Sequence, residues 1–206
     1  MLRFRVFRNG AAPAEVDLST AYLVGSDSVP VRGEFSYANG EIVCRKRAAG
    51  PAALTIMWES KNFGSVMLET TRLPEREEPY ILNLELARGR VMRLMQKREE
   101  WGIFDLADVA AVNEKAMEAR DLLLEGITNQ ADPARASEYA DRCLELVLPV
   151  SEQAATPPNT ISAGAEDESE MGAFARERNP VKERGLLIKF QEFMPAGLVP
   201  VVIHVT

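Results

Sequence analysis

YILNLELARGRVMRLMQKREEW, residues 80–101, is the stretch that divides this chain into two kinds of structure. Leu84, Ala87, Val91, Leu94 and Met95 recur at steps of three and four, which places them on one face of a helix. Arg90, Arg93, Lys97 and Glu100 share another face, where long charged side chains can stay in water. Pro79 stands before the first turn, where a missing N–H costs little, and Gly102 stands where a helix is closed. Trp101 follows the periodic stretch and is expected to anchor it. Before Pro74 the sequence reads as short strands; from this helix to Pro149 it reads as helices.

Upstream, Leu2, Phe4 and Val6 alternate with Arg3 and Arg5, a half-buried strand that ends at the turn Asn9-Gly10. Val16 to Val24 gives a second strand, closed by the Gly25–Ser28 loop. The strongest local signal is Asn39-Gly40 between GEFSYA and EIVCRKR. A two-residue hairpin there puts Ala38 opposite Glu41, Tyr37 opposite Ile42, Phe35 opposite Cys44 and Glu34 opposite Arg45. Apolar then meets apolar and opposite charges meet, so turn chemistry and cross-strand pairing agree. Leu54, Ile56 and Trp58 share one strand face, with Thr55, Met57 and Glu59 on the other. Val66, Leu68 and Thr70 follow after the KNFG loop. Six short strands with frequent turns leave no room for crossover helices, which predicts a mainly antiparallel sandwich of jelly-roll type.

Downstream, Val109, Val112, Ala116, Ala119 and Leu123 mark a second helix over about 108–126. Asp132-Pro133 opens a third, an N-cap followed by proline in the first turn. Its stripe is Ala136, Ala140, Cys143 and Val147, and it is expected to end near Pro149. The expected class is α+β: an antiparallel, jelly-roll-like β-sandwich over 1–73, then a three-helix segment over 74–150 packed on it. The Pro-, Ser- and acid-rich stretch 151–180 reads as a flexible acidic linker, and 181–206 as a short apolar tail with one more strand at Val199–Val205.

Net charge is −7, which argues against a nucleic-acid partner. Cys44 and Cys143 stand alone in a strand and a helix, without a CxxC pair, and the one histidine, His204, is far from either. Neither a zinc site nor a histidine-based triad is supported, and no cofactor is expected. The opening MLRFRVFRNG lacks the unbroken apolar run of a signal peptide, and the apolar end carries Lys189, Glu192, Pro195 and Pro200, a poor membrane span. A cytoplasmic protein without a membrane partner is the expectation.

The segments AYLVGSDSVPVRGEFSYANGEIVCRKRAAGPAAL (Ala21–Leu54) and LETTRLPEREEPYILNLELARGRVMRLMQKREEWGIFD (Leu68–Asp105) resemble the N-terminal region of large bacterial endo-1,4-beta-xylanase-like proteins of glycoside hydrolase family ten. In that family a β-rich module, a Leu-Pro-Glu-Arg segment and helices precede the catalytic barrel. The resemblance covers about residues 1–150 and includes no catalytic motif. A retaining glycosidase needs two carboxylates about 5–5.5 Å apart, and its barrel takes about 250 residues, which do not fit after residue 150. A chain cut short or shifted out of frame after Ser151 is the corresponding expectation. What the resemblance implies is a non-catalytic accessory module of a xylanase-like glycoside hydrolase, with a xylan-type polysaccharide as partner and no catalytic residue of its own.

Sugar-binding sandwiches stack aromatic rings on pyranose faces beside polar groups for the hydroxyls. The carbohydrate-binding candidates are therefore Trp58, Tyr37, Arg45, Glu69 and Glu34. Strand parity sets Trp58, Tyr37 and Phe35 among core residues, leaving Glu34, Ser36, Arg45, Thr55, Met57 and Glu69 as a polar face without a stacking platform. The charged run Arg72–Glu78 reads as solvated surface between the two parts. The competing function is a structural or protein-interaction module whose helices dock a partner. An aromatic pair in a sheet groove favours sugar; an exposed apolar helical stripe favours a protein.

Overall fold

Two asparagine–glycine pairs make tight reversals of the chain. Asn9 and Gly10 hold φ of 50° and 76°, and Asn39 and Gly40 hold 53° and 78°, the left-handed pair that a two-residue hairpin needs. The structure is a computed structural model that describes the backbone of residues 1–101 and 110–155, and the side chains of 1–97 and 112–152.

Around the second reversal, β4 (Gly33–Ala38) and β5 (Glu41–Lys46) pair in the expected register, Ala38 with Glu41, Tyr37 with Ile42, Phe35 with Cys44 and Glu34 with Arg45. β1 (Leu2–Arg5) lies antiparallel to β5, which sets Leu2 opposite Cys44 and Phe4 opposite Ile42, all buried. β2 (Tyr22–Val24), β3 (Pro30–Val31), β6 (Ala53–Ser60) and β7 (Gly64–Glu69) form a second sheet in the order β3-β2-β6-β7. Leu54, Ile56 and Trp58 are buried along β6, as their parity requires, and Leu68 joins them from β7. Two mostly antiparallel four-stranded sheets followed by three helices make this an α+β fold, with eight described strands where six were expected.

The eighth strand is a correction. Tyr80 and Ile81, read as the opening turn of the first helix, form β8 and pair in parallel with Phe4 and Arg5, so the first sheet runs β4-β5-β1-β8. β8 then runs without a break into α1 (Leu82–Trp101). Two residues are too few to show strand periodicity, and their partner is distant in sequence. The strand expected from Val16 shortens to Tyr22–Val24. Asp17 accepts from the Ser19 amide at 2.8 Å and Ala21 donates to Leu18 at 3.1 Å, local bonds that turn the chain before Tyr22.

α1 is the element that both sheets and α3 share. Leu84, Ala87, Val91 and Leu94 are buried as their spacing predicts, with Met95 half-buried. Its first turns go further: every residue from Leu82 to Ala87 is buried, including Asn83 at 0% and Glu85 at 4% exposure. Gly89 explains how close the helix comes to the sheet. A Cβ there would collide with the Glu69 carbonyl oxygen and lie 3.2 Å from the Thr70 carbonyl carbon, so only glycine admits this approach to the end of β7. Arg90, assigned to the wet face, is instead largely covered and reaches Glu152 of α3 at 3.4 Å.

α2 (Ala110–Thr128) buries Ala116, Ala119 and Leu123, and α3 (Pro133–Ala155) buries Ala136, Ala140, Cys143 and Val147. Small side chains let these helices approach closely. Pro149 does not end α3, which runs on to Ala155 and displaces the linker boundary expected at 151. An interior proline costs about 3 kcal/mol, but Leu148, Val150 and Ser151 around it are buried, and the Ser151 hydroxyl donates to the Val147 carbonyl at 2.7 Å. Burial there outweighs the lost backbone bond.

One apolar cluster runs through both sheets and all three helices, and the described residues fall in one compact unit. Cys44 and Cys143 are unpaired and buried within it, and burial pushes each thiol up to about 12. No helix among the described residues is long and apolar enough to cross a membrane. The expected linker beyond 155, the apolar tail with its strand at Val199–Val205, and the side chain of Trp101 lie outside the described residues.

Candidate functional site

The five residues expected to meet a sugar are spread over two sheets. Glu34 and Arg45 face each other, exposed, on the β4–β5 pair of the first sheet. Trp58 and Glu69 belong to β6 and β7 of the second. The polar face expected to run from Glu34 and Ser36 through Thr55, Met57 and Glu69 is therefore not one surface. Thr55 is 3% exposed and closes part of it.

Neither aromatic candidate presents an open ring. Trp58 is 2% exposed, and the Arg8 guanidinium sits 3.5 Å from its ring centroid. Arg8 is held there by the Glu59 carbonyl at 2.8 Å. A sugar would have to displace a cation already stacked on the ring. Tyr37 is half-buried, packed against the core, and its hydroxyl donates to the Pro13 carbonyl. Glu69 is engaged by Arg93 at 3.4 Å. Phe35, set beside these as core, is also half-buried.

A buried polar node that sequence reasoning did not identify lies behind Trp58. Asn83, in the first turn of α1, accepts from the Phe7 amide at 3.2 Å, donates to the Phe7 carbonyl at 2.9 Å and donates to Asp141 of α3 at 2.8 Å. It bonds the backbone beyond β1 as a neighbouring strand would. Burial pushes the Asp141 carboxyl up to about 6, against the opposing pull of Asn83 and Arg8, with Glu145 and Glu138 adding to the rise. Burial likewise lowers Arg8, which Asp141 and Glu59 hold up. Every polar atom of Asn83 has a protein partner, so Asn83 ties the backbone after β1 to α1 and α3. Among the described residues, no three His, Cys, Asp or Glu side chains are placed to hold a metal.

One open surface lies on α2. Met117, Asp121 and Leu124 repeat at steps of three and four on a flank beside the stripe of Ala116, Ala119 and Leu123, and the half-buried Asn113 continues the row. Met117 is 38% and Leu124 51% exposed. Beside them a shallow, open groove of about 600 Å3 is lined, among the described residues, from α2 alone: the apolar Met117 and Leu122 with Glu114, Glu118, Asp121 and Glu125 around them. Its signal was present in the sequence as a second periodic stripe, masked by the stronger one of small residues. An apolar floor with an acidic rim suits an apolar segment that carries basic side chains. No protein-family model, no curated protein and no solved structure matches this chain.

Proposed function

We propose that this chain is a non-catalytic accessory module that works by protein–protein contact through α2. The observation that carries this reading is the Met117–Leu122 groove with its four-carboxylate rim, an exposed apolar helical surface, whereas Trp58 is buried under Arg8 and Tyr37 is half-buried. The partner it suits is a basic, amphipathic segment laid along the groove. The accessory place beside a xylanase-like glycoside hydrolase rests on the resemblance of Ala21–Leu54 and Leu68–Asp105. A jelly-roll-like arrangement of the two sheets, a cytoplasmic setting and no nucleic-acid partner belong to the same proposal, the last supported by net charge −7. Sugar binding through Trp58, Tyr37, Arg45, Glu69 and Glu34 is the less favoured reading, because it needs rings that are not open.

Backbone amide shifts of the labelled protein distinguish the two. A synthetic amphipathic helix of leucine and lysine should shift the amides of residues 113–125, and a scrambled peptide of equal charge should do so at least about tenfold more weakly. Reversing the rim with Glu118→Lys and Glu125→Lys should remove the effect. Xylohexaose should shift nothing. Saturable shifts at Glu34, Tyr37 and Arg45 with xylohexaose, or equal binding of both peptides, overturn the proposal.

A further inference from the structure

A second feature, independent of the α2 groove, lies where β1 and β8 end side by side and α1 begins. The start of α1, the loop before β8 and the turn between α2 and α3 enclose a polar cleft of about 490 Å3. Three different elements send a guanidinium to it: Arg5 from the end of β1, Arg76 from the loop and Arg88 from α1. Glu78, Glu85 and Gln130 complete its polar lining. In a chain of net charge −7, this is a place where arginines outnumber carboxylates.

Their donors are not all committed. Arg76 lies 3.5 Å from the Tyr80 ring centroid and donates to the carbonyls of Glu78 at 2.9 Å and Pro79 at 3.3 Å, which fixes its guanidinium plane. Arg5 meets Glu41 only at 3.6 Å, and Arg88 meets Glu85 only at 3.5 Å. Neither guanidinium makes a hydrogen bond among the described residues, although each carries five N–H donors in a planar fork that fits a carboxylate or a phosphate. Glu78 offers acceptors, and Gln130 both a donor and an acceptor, to hydroxyl groups beside such an anion, whereas Glu85, 4% exposed, is engaged by Thr71 at 3.3 Å and by Arg88.

We infer that this cleft binds a small ligand in which an oxyanion is joined to hydroxyl groups, as in a sugar acid or a sugar phosphate. Arg5 and Arg88 take the oxyanion, and Arg76, held on Tyr80, adds positive charge without having to be ordered on binding. Glu78 and Gln130 take the hydroxyls. A neutral sugar leaves the arginines unmatched, so the anion decides binding.

The labelled full-length chain is titrated with sodium D-glucuronate, glucose 6-phosphate and D-glucose at constant ionic strength. At least one of the two anionic sugars should saturably shift the amides of Arg5, Ile81, Arg88 and Gln130, and glucose should not. Which anion binds tells carboxylate from phosphate. Arg5→Gln, at an exposed position, should weaken binding by at least about tenfold with an unchanged fold, and Arg76→Gln should act the same way. Absence of a saturable shift with both anions, or an affinity that Arg5→Gln leaves unaltered, overturns the assignment.

Discussion

α1 and α2 are of similar length and lie in the same helical layer, yet they meet the rest of the molecule in opposite ways. From Leu82 to Ala87, α1 is covered on every side, polar residues included. α2 buries a stripe of small residues and leaves Met117 and Leu124 in water. The enclosure of α1 is confined to its first turns, since Met92 further along it is 58% exposed, and within them each side chain is set by what surrounds it. A helix held by a narrow stripe of alanines keeps its outer face free to vary. The difference places the tightest architectural constraint on the first turns of α1 and leaves an apolar outer face on α2.

The sharpest way to break that contrast is at Gly89. Alanine in an exposed helix position would be favourable by about 1 kcal/mol relative to glycine. Here its Cβ meets backbone of β7, which cannot rotate away, so Gly89→Ala should instead destabilise by about 3 kcal/mol. The midpoint of denaturant unfolding reads this directly. A stabilised variant would mean that α1 does not press on the sheet.

A smaller effect comes from the polar tie between α1 and α3. The folded pKa of Asp141 is raised from the usual value near 3.8 to about 6. The folded protein therefore holds a proton that the unfolded chain has lost between about pH 4 and pH 6. Stability from this group is full at the acid end and falls as pH rises through that window. Two pKa units correspond to nearly 3 kcal/mol, and the partial exposure of the carboxyl reduces this to about 1–2 kcal/mol. Asp141→Asn should lack this component, so the stability difference between variant and wild type should grow in the variant's favour from pH 4 to pH 6.5. A difference that stays flat across the window would place Asp141 in water.

The smallest effect is expected on the outer face of α2. Met117→Ser should change stability by no more than about 0.5 kcal/mol. A loss above about 1 kcal/mol in the same unfolding measurement would mean that the groove is filled in the folded protein and that α2 is as enclosed as α1.

How much of this was legible in the sequence follows from distance along the chain. The β4–β5 hairpin could be read residue by residue, because Asn39-Gly40 and the pairs Phe35–Cys44 and Glu34–Arg45 carry their own information locally. The burial of Trp58 followed from its parity with Leu54 and Ile56. β8 could not be read, since two residues carry no periodicity and their partner is β1. Arg90 stands on the charged face of its helix in the sequence pattern, and α3 partly covers that face through Glu152. Pro149 looked like an end because local backbone cost was visible and the burial of Leu148 and Val150 was not. The candidate sites show the same limit. The α2 stripe is a local pattern, whereas Arg5, Arg76 and Arg88 meet only because the fold brings their elements together.

The place of β1 in its sheet bears on the order in which that sheet can form. β1 precedes every other strand in the chain, yet it lies inside the sheet, between β5 and β8. Both of its neighbours follow it, and the second stands directly before α1. Until Glu41–Lys46 is available, Leu2, Phe4 and their backbone have neither edge satisfied; until Tyr80–Ile81 arrives, one edge stays open. The β4–β5 hairpin can close early by itself, but the sheet is completed only when α1 is ready to cover it. Closing such a long loop is slow compared with closing a hairpin. An apolar strand left waiting in this way is a point at which a partly made chain can pair with another copy.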